Sequence, residues 1–225
     1  MNILSASDGY RLWAPSYADE TAISYLEDEL VTAMTPSLTG LRLLDAGCGT
    51  GRRLLGAGAA SAVGVDLSRE MLAAGLGNNI RGPDIATMVG DVRALPLPDH
   101  AFDVIWCRLV IGHLPDCAPA YAELGRVADA GALVIVTDFH PRAYAAGHRR
   151  TFRHEGAVQE VEHYVHRRQD HLVAARAAGL APVAERDAAI GPAVRGYYDK
   201  AGRSALYAEH AGLPVVLALA FRCEG

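Results

Sequence analysis

Residues 43–51 read Leu-Leu-Asp-Ala-Gly-Cys-Gly-Thr-Gly. The carboxylate of Asp45 closes an apolar run that starts at Leu41, and Gly47, Gly49 and Gly51 follow it at alternate positions. Bare backbone just beyond a strand end lets a ligand lie against the main chain, as nucleotide-like molecules do in open parallel sheets. The details disfavour a dinucleotide. A pyrophosphate turn needs G-x-G-x-x-G, with a third glycine for close helix–strand packing. That place falls on Arg52 when counted from Gly47 and on Leu54 when counted from Gly49. Asp45 would also repel a pyrophosphate. A carboxylate followed by bare backbone suits a ligand with a cationic head and a flat body.

Two further carboxylates stand at matching places. Ser61-Ala-Val-Gly-Val-Asp66 puts an acidic residue at the end of the next apolar run, about twenty residues beyond Gly47, the distance a βαβ unit requires. Met88-Val-Gly-Asp91-Val92 is a third short apolar run ending in Asp, and Ala101-Phe-Asp-Val-Ile-Trp-Cys107 a fourth. Each admits a plainer reading. The glycines could serve only a turn, Asp66 could cap the helix beginning Ser68-Arg-Glu-Met-Leu, and Gly-Asp is ordinary turn chemistry.

Taken in order, these four segments resemble the class I S-adenosylmethionine (SAM)-dependent methyltransferases, whose first motif reads D-x-G-C/S-G-T-G after a hydrophobic strand. The resemblance covers roughly residues 41–140. It implies SAM as cofactor and S-adenosylhomocysteine as product, with the ammonium and sulfonium supplying the cationic head. It implies cofactor contacts from Asp45, Gly47, Cys48, Gly49 and Gly51, from Asp66 (ribose), Leu67 and Met71, from Asp91 and Val92 (adenine), and from Cys107 and Tyr17. The stretch Tyr10-Arg-Leu-Trp-Ala-Pro-Ser-Tyr17 is similar to a Tyr-x-x-Trp-Ala-x-x-Tyr lid found in many small-molecule members. Tyr10 and Trp13, together with Tyr164, are the candidate acceptor contacts, although Trp13 and Tyr17 could equally pack a surface helix. The Asn/Asp-Pro-Pro-aromatic motif of members that methylate nucleic acid bases is absent, its place reading Cys107-Arg108-Leu109-Val110.

His113 and His140 follow the fourth and fifth expected strands. An imidazole titrates near neutrality, so either could take an acceptor proton, or serve as a cap or core hydrogen-bonder. Six of the nine histidines lie between 140 and 171. His163 and His166 would share a helix face, but Val161-Glu-His-Tyr-Val-His reads as extended, where that spacing alternates faces, and no ligand pattern surrounds them, so no metal is expected. Arg142, Arg149, Arg150, Arg153, Arg167 and Arg168 form a basic stretch, either a solvated face or a contact for an anionic acceptor.

These residues need elements to hold them. The pattern predicts strands at 41–46, 61–66, 86–90, 102–107 and 132–138. Helices are expected over about 20–34, 51–58, 68–76, 117–129 and 168–178. Residues 180–188 and 213–223 complete the set as two further strands, which the resemblance implies are an antiparallel pair. The uninterrupted run Ala132–Thr137 is a central parallel strand. The fold class is α/β, a doubly wound, mostly parallel seven-stranded sheet of the Rossmann-like methyltransferase kind with an N-terminal helical lid and a small cap insertion. One domain is expected over 1–225: lid and first helix at 1–36, with 1–20 irregular, a core at 41–138, a cap at 139–167, and a last helix and strands at 168–225.

The composition agrees. The 225 residues are 51% hydrophobic, enough for a full core, at a mean hydropathy of +0.11. A net charge of −5 disfavours a nucleic acid partner. Cys48, Cys107, Cys117 and Cys223 lack C-x-x-C spacing, which suggests reduced thiols and a cytoplasmic protein. The N-terminus lacks the pattern of a signal peptide, and Leu213–Phe221 is too short to span a bilayer, so no membrane association is expected. The expected activity is methyl transfer to an oxygen, nitrogen or carbon of a small metabolite by a monomer or homodimer. A protein or RNA methyltransferase and a non-catalytic SAM-binding regulator remain open, and a nicotinamide-dependent oxidoreductase is disfavoured by Asp45 and Arg52.

Overall fold

The computed structural model describes residues 3–17, 19–77 and 84–225. In chain order the strands are β1 (Ile3–Leu4), β2 (Arg42–Ala46), β3 (Ser61–Asp66), β4 (Ile85–Val89), β5 (Phe102–Arg108), β6 (Ala128–Phe139), β7 (Thr151–His154), β8 (Ala157–Val161), β9 (Leu180–Ala189) and β10 (Pro214–Cys223). The helices are α1 (Ala6–Trp13), α2 (Ala22–Met34), α3 (Arg69–Gly77), α4 (Ala118–Val127), α5 (Pro141–Ala145), α6 (Arg168–Ala177), α7 (Arg195–Lys200) and α8 (Ser204–His210).

Seven strands form one sheet in the order β4-β3-β2-β5-β6-β10-β9. All neighbours are parallel except β10, which is antiparallel to both β6 and β9. The chain leaves β2 toward β3 on one side and returns to β5 on the other, so the order reverses between β2 and β5. Crevices at such reversals, beyond the carboxyl ends of the strands, are where doubly wound sheets bind ligands.

Side-chain alternation divides the core as a two-faced sheet requires. Ile105, Cys107, Val134 and Val136 pack with Tyr121 and Leu124 of α4 on one face, while Val104, Trp106, Leu133 and Ile135 pack with Val31 of α2 on the other. Thr21 and Ser24 form a reciprocal capping box that starts α2. Gly179, at φ 72°, ends α6 as expected.

Three local expectations are corrected. The helix expected over 51–58 is a single 3-10 turn, Arg52–Leu54. Gly56 and Gly58 sit at φ 72° and 75°, left-handed values that a right-handed helix cannot include, and they stop it there. Residues 6–13, expected to be irregular, form α1, whose Ser5 side chain caps the Asp8 amide. The cap at 139–167 is more than a polar connection: β7 and β8 pair antiparallel, and β1 adds alongside β8 in parallel. The N-terminus and the cap are therefore one small sheet. The segment between β9 and β10 also carries α7 and α8, for which the sequence offered no clear period.

Candidate functional site

The Gly-rich loop occupies the reversal point. Gly47 and Cys48 donate their amides to the Val65 carbonyl at 2.7 and 3.0 Å, which ties the loop to β3. Gly47, Gly49 and Gly51 all take left-handed φ values, 84°, 57° and 74°. A Cβ at Gly49 would meet Met71 Cε at 3.1 Å and Tyr17 Cε1 at 3.7 Å, and one at Gly47 would overlap the Val110 side chain. The left-handed backbone disfavours a side chain at all three positions, and at Gly47 the Val110 side chain leaves no room for one.

At the foot of the loop, Asp45 is 2% exposed, and its Oδ1 has no hydrogen-bond partner among the described residues. Burial pushes its carboxyl up to about 7, against the pull of the Arg108 guanidinium. An unpartnered buried carboxylate oxygen is costly unless a donor or cation completes it. The residues present therefore fit a ligand with a cationic head.

Asp66 uses Oδ2 to accept from the Gly49 amide at 2.7 Å and Oδ1 to accept from the Ser68 amide at 2.8 Å. Each carboxylate oxygen has a second lone pair, so both remain able to accept from a diol. Burial raises this carboxyl, and the two amides oppose the rise. Asp91 lies on the adjoining turn, where the Arg93 guanidinium holds its carboxyl below the usual range. Val92 and Met71 are buried and Leu67 is exposed at the rim. The Cys48 and Cys107 thiols are buried, which raises both and makes them poor nucleophiles.

A buried ion network, absent from the sequence reading, fixes α2 over this end of the sheet. Arg108 donates to Glu27 at 2.9 and 2.6 Å and to Asp28 at 2.7 Å, and the Thr137 hydroxyl donates to Glu27 at 3.0 Å. The next residue, Leu109, has φ 56°, unusual for a side-chain-bearing residue; its amide donates to the Thr137 carbonyl and hydroxyl, both at 3.0 Å.

Beside the Gly-rich loop opens a cavity of about 800 Å³, a size ordinary for a small-molecule site. Trp13, Tyr17, Leu109 and Phe139 line its inner wall, and Arg149, Arg150, Lys200 and Arg203 supply cations. The lid is held by ring stacking. Trp13 stacks on Tyr10 at 5.8 Å and on Phe152 of β7 at 5.0 Å, and Tyr17 meets Trp13 edge-on at 5.1 Å.

His113, Tyr10 and Arg150 form a relay with assignable proton positions. His113 Nδ1 is 3.1 Å from the Glu162 carbonyl, which can only accept, so Nδ1 carries the proton and Nε2 accepts from the Tyr10 hydroxyl at 2.9 Å. That hydroxyl in turn accepts from Arg150 Nε at 2.8 Å. Burial lowers His113 to about 3. His140 is the N-cap of α5, its Nδ1 accepting from the Arg142 amide at 3.1 Å, and its Nε2 lies 3.8 Å from Asp187. Tyr164 donates its amide to the Gly112 carbonyl and stands outside the wall of the cavity.

The geometry thus gathers Asp45, the three glycines, Asp66, Met71 and Tyr17 at one end and Trp13 with Arg150 at the other. His140 and Tyr164 lie apart. Among the described residues no group of three or more His, Cys, Asp or Glu is placed to hold a metal ion. No helix among them is long and apolar enough to cross a membrane.

Comparison with known proteins points the same way. Residues 44–136 match a family described as "Methyltransferase domain". The 27-O-demethylrifamycin SV methyltransferase of Amycolatopsis mediterranei is 31% identical over 183 residues, 75% of this chain and 64% of the relative. The ubiquinone biosynthesis O-methyltransferase of Methylococcus capsulatus is 31% identical over 136 residues, 57% of this chain and 56% of the relative. The chain spans about half the length of several of the curated relatives it matches. A S-adenosylmethionine-dependent methyltransferase from Mesorhizobium loti superposes with a TM-score of 0.69 over 89% of this chain and 99% of its own, at 23% identity, which establishes the shared fold.

Proposed function

We propose that this chain, whose residues 44–136 match a methyltransferase domain, is a class I SAM-dependent methyltransferase that transfers a methyl group to a nucleophilic atom of a small metabolite. The observation that carries the reading is the unpartnered Oδ1 of Asp45 at the foot of the glycine-rich loop, joined through Tyr17, which packs over Gly49, to a cavity large enough for an acceptor. When bound, SAM supplies an electrophilic methyl on a sulfonium. Asp45 would take its ammonium, the Gly47–Gly51 backbone its methionine portion, Asp66 its ribose hydroxyls, and Asp91 with Val92 its adenine, with Met71 and Tyr17 closing around it.

The chain's own part in the reaction is alignment and exclusion of water. A displacement at a cationic centre gains most from a desolvated nucleophile held in line. Trp13, stacked between Tyr10 and Phe152, closes the N-terminal lid against the cap. Leu109, held at a left-handed φ by hydrogen bonds to Thr137, gives the cavity wall a fixed apolar position. Neither candidate histidine stands ready as a base: both ring nitrogens of His113 are engaged and a value near 3 makes it a weak one, while His140 caps a helix. Hence the reading favours a nucleophile that needs little help, such as an amine, an acidic hydroxyl or an activated carbon.

Incubating the full chain with methyl-labelled SAM and a cell extract, then separating products by size, tests this. Label in the low-mass fraction is the expected result. Label in protein or RNA overturns the substrate class, and failure to bind SAM or S-adenosylhomocysteine by calorimetry overturns the whole reading.

A further inference from the structure

The cavity wall carries a cation with no directly paired carboxylate among the described residues; Asp138 acts on it only through space. Arg150 lines the cavity. Its side-chain partners are the Tyr10 hydroxyl, reached from Nε at 2.8 Å, and the Tyr10 ring face at 5.9 Å. Among the described residues no carboxylate lies within ion-pairing distance of it. The contrast with Arg108, the other inward arginine, is direct: Arg108 meets Glu27 at 2.6 Å and Asp28 at 2.7 Å. A guanidinium stays charged at any physiological pH and has five donors in a planar fork. Tyr10 uses the Nε donor only, which leaves the two terminal nitrogens, the geometry that matches a carboxylate or a phosphate bidentately.

The surroundings reinforce this choice of ligand. Arg149 is close by but spoken for, donating to the Tyr144 and His148 carbonyls at 2.8 Å and lying 3.9 Å from Glu160. Lys200 and Arg203 line the same cavity from its exposed side, on α7 and the turn after it. The cavity also touches two acids, Asp19 and Glu20, but Glu20 is already paired with Arg53 at 2.7 Å. The relay from Arg150 through Tyr10 to His113 holds the fork in place, since each hydrogen bond in it has only one allowed direction. The same cavity also has apolar and aromatic lining from Trp13, Tyr17, Leu109 and Phe139.

We infer that the methyl acceptor is a small molecule with an anionic group, a carboxylate or a phosphate, that seats on the Arg150 fork while its apolar or aromatic body lies against Trp13, Tyr17 and Phe139. Arg150 is an acceptor-binding residue and sets substrate class. This rests on the methyltransferase reading of the same site.

The test uses the full chain saturated with S-adenosylhomocysteine and three probes of one shape: benzoate, phenyl phosphate and neutral benzamide, with affinities measured by calorimetry. At least one anion should bind the wild type at least about tenfold more tightly than benzamide, the scale of a charge-assisted hydrogen bond. Arg150→Gln should abolish that preference with S-adenosylhomocysteine affinity unchanged, and Arg150→Lys, which keeps the charge but loses the fork, should retain only part of it. Equal binding of anions and benzamide, no anion binding, or a preference that survives Arg150→Gln each overturns the inference. Should Arg150→Gln fail to fold, the wild-type preference and its reduction in Arg150→Lys decide the matter. Relative strengths of benzoate and phenyl phosphate tell carboxylate from phosphate. Loss of S-adenosylhomocysteine binding by the wild type would instead sink the parent reading.

Discussion

The two halves of the site carry opposite charges on opposite kinds of scaffold. The proposed cofactor half is acidic, with Asp45, Asp66 and Asp91 at the ends of neighbouring parallel strands or on the turn beyond, and its central loop is glycine-rich. The proposed acceptor half is basic and aromatic, assembled from α1, the β7–β8 cap and the α7–α8 region, elements far apart in sequence and joined by the small β1-β8-β7 sheet, ring stacking and the Arg150–Tyr10 hydrogen bond. A ligand common to a whole family can be held by main chain and strand ends, which the sheet fixes. A ligand particular to one protein is held by side chains on peripheral elements, which can change while the sheet stays intact. On the proposed reading charge follows the same division, acids for a cationic head and arginines for an anionic acceptor.

The largest expected effect breaks the join between the halves. Glu27→Ala leaves Arg108, whose side chain is 8% exposed, with Asp28 as its remaining carboxylate. Removing one member of a buried ion pair costs about 3–5 kcal/mol, and the surviving Asp28 contact places this case near 3. Urea unfolding should show a lower midpoint with an unchanged slope. A cost below about 1 kcal/mol, the value of an exposed pair, would mean that α2 is not pinned to the sheet through this network.

Next in size, Asp66→Ala should weaken SAM binding by about 1–3 kcal/mol, through the lost acceptor for the ligand and the freed Gly49 amide. Benzoate and phenyl phosphate binding to the saturated protein should be left alone, since Arg150 belongs to the other half. Calorimetry showing unchanged SAM affinity would remove the ribose role from Asp66, and a parallel loss of anion binding would dissolve the distinction between the halves.

This division also explains what was legible in the sequence. Asp45, the glycines, Asp66 and Asp91 are each positioned by a few neighbouring residues, so strand period and loop composition were enough to place them. The strands of the sheet were readable for the same reason, while the antiparallel β9–β10 pairing followed from the family resemblance rather than from any local pattern. Arg150 belongs to a run of arginines whose members differ only in where the fold turns them: Arg168 pairs with Glu185 and Asp187, Arg142 and Arg153 face solvent, and Arg150 turns inward. That turn depends on β7 pairing with β8, and β8 with a two-residue strand whose partners lie 157 positions away (Ile3 with Glu160), which no local pattern encodes. The shortened connection after Gly51 was missed because Arg-Arg-Leu-Leu has good helix propensity, whereas the left-handed backbone of Gly56 and Gly58 decided the outcome.

A smaller effect sharpens the acidic half. Burial raises Asp45 from 3.8 in the unfolded chain to about 7 in the free protein. A carboxyl so raised favours the protonated folded state, so its contribution to stability is present below about pH 4 and is lost as pH rises toward 7. A cationic head needs the ionised form and pulls the proton off. SAM affinity should therefore fall about tenfold per pH unit below 7, since one unit is about 1.4 kcal/mol. Near pH 6, binding should release close to one proton, read as a dependence of the calorimetric heat on the ionisation enthalpy of the buffer. Affinity flat between pH 6 and 8 would show that the ammonium does not meet Asp45.

The smallest effect separates a structural histidine from a chemical one. His140 Nδ1 accepts from the Arg142 amide at the start of α5, and burial lowers its proton affinity. A histidine whose folded value is depressed stabilises the fold above its unfolded value of 6.5, and that contribution is lost as pH falls below it. His140→Ala should cost about 1 kcal/mol, the usual worth of an N-cap, and the loss should be visible at pH 8 and shrink toward pH 5. His140→Asn, which keeps a capping acceptor, should recover most of the stability. With both variants folded, kcat should stay within a few-fold of the wild type. A drop of about a hundredfold in both, the worth of a general base, would place a proton acceptor in the basic half and end the view that this half only binds and aligns.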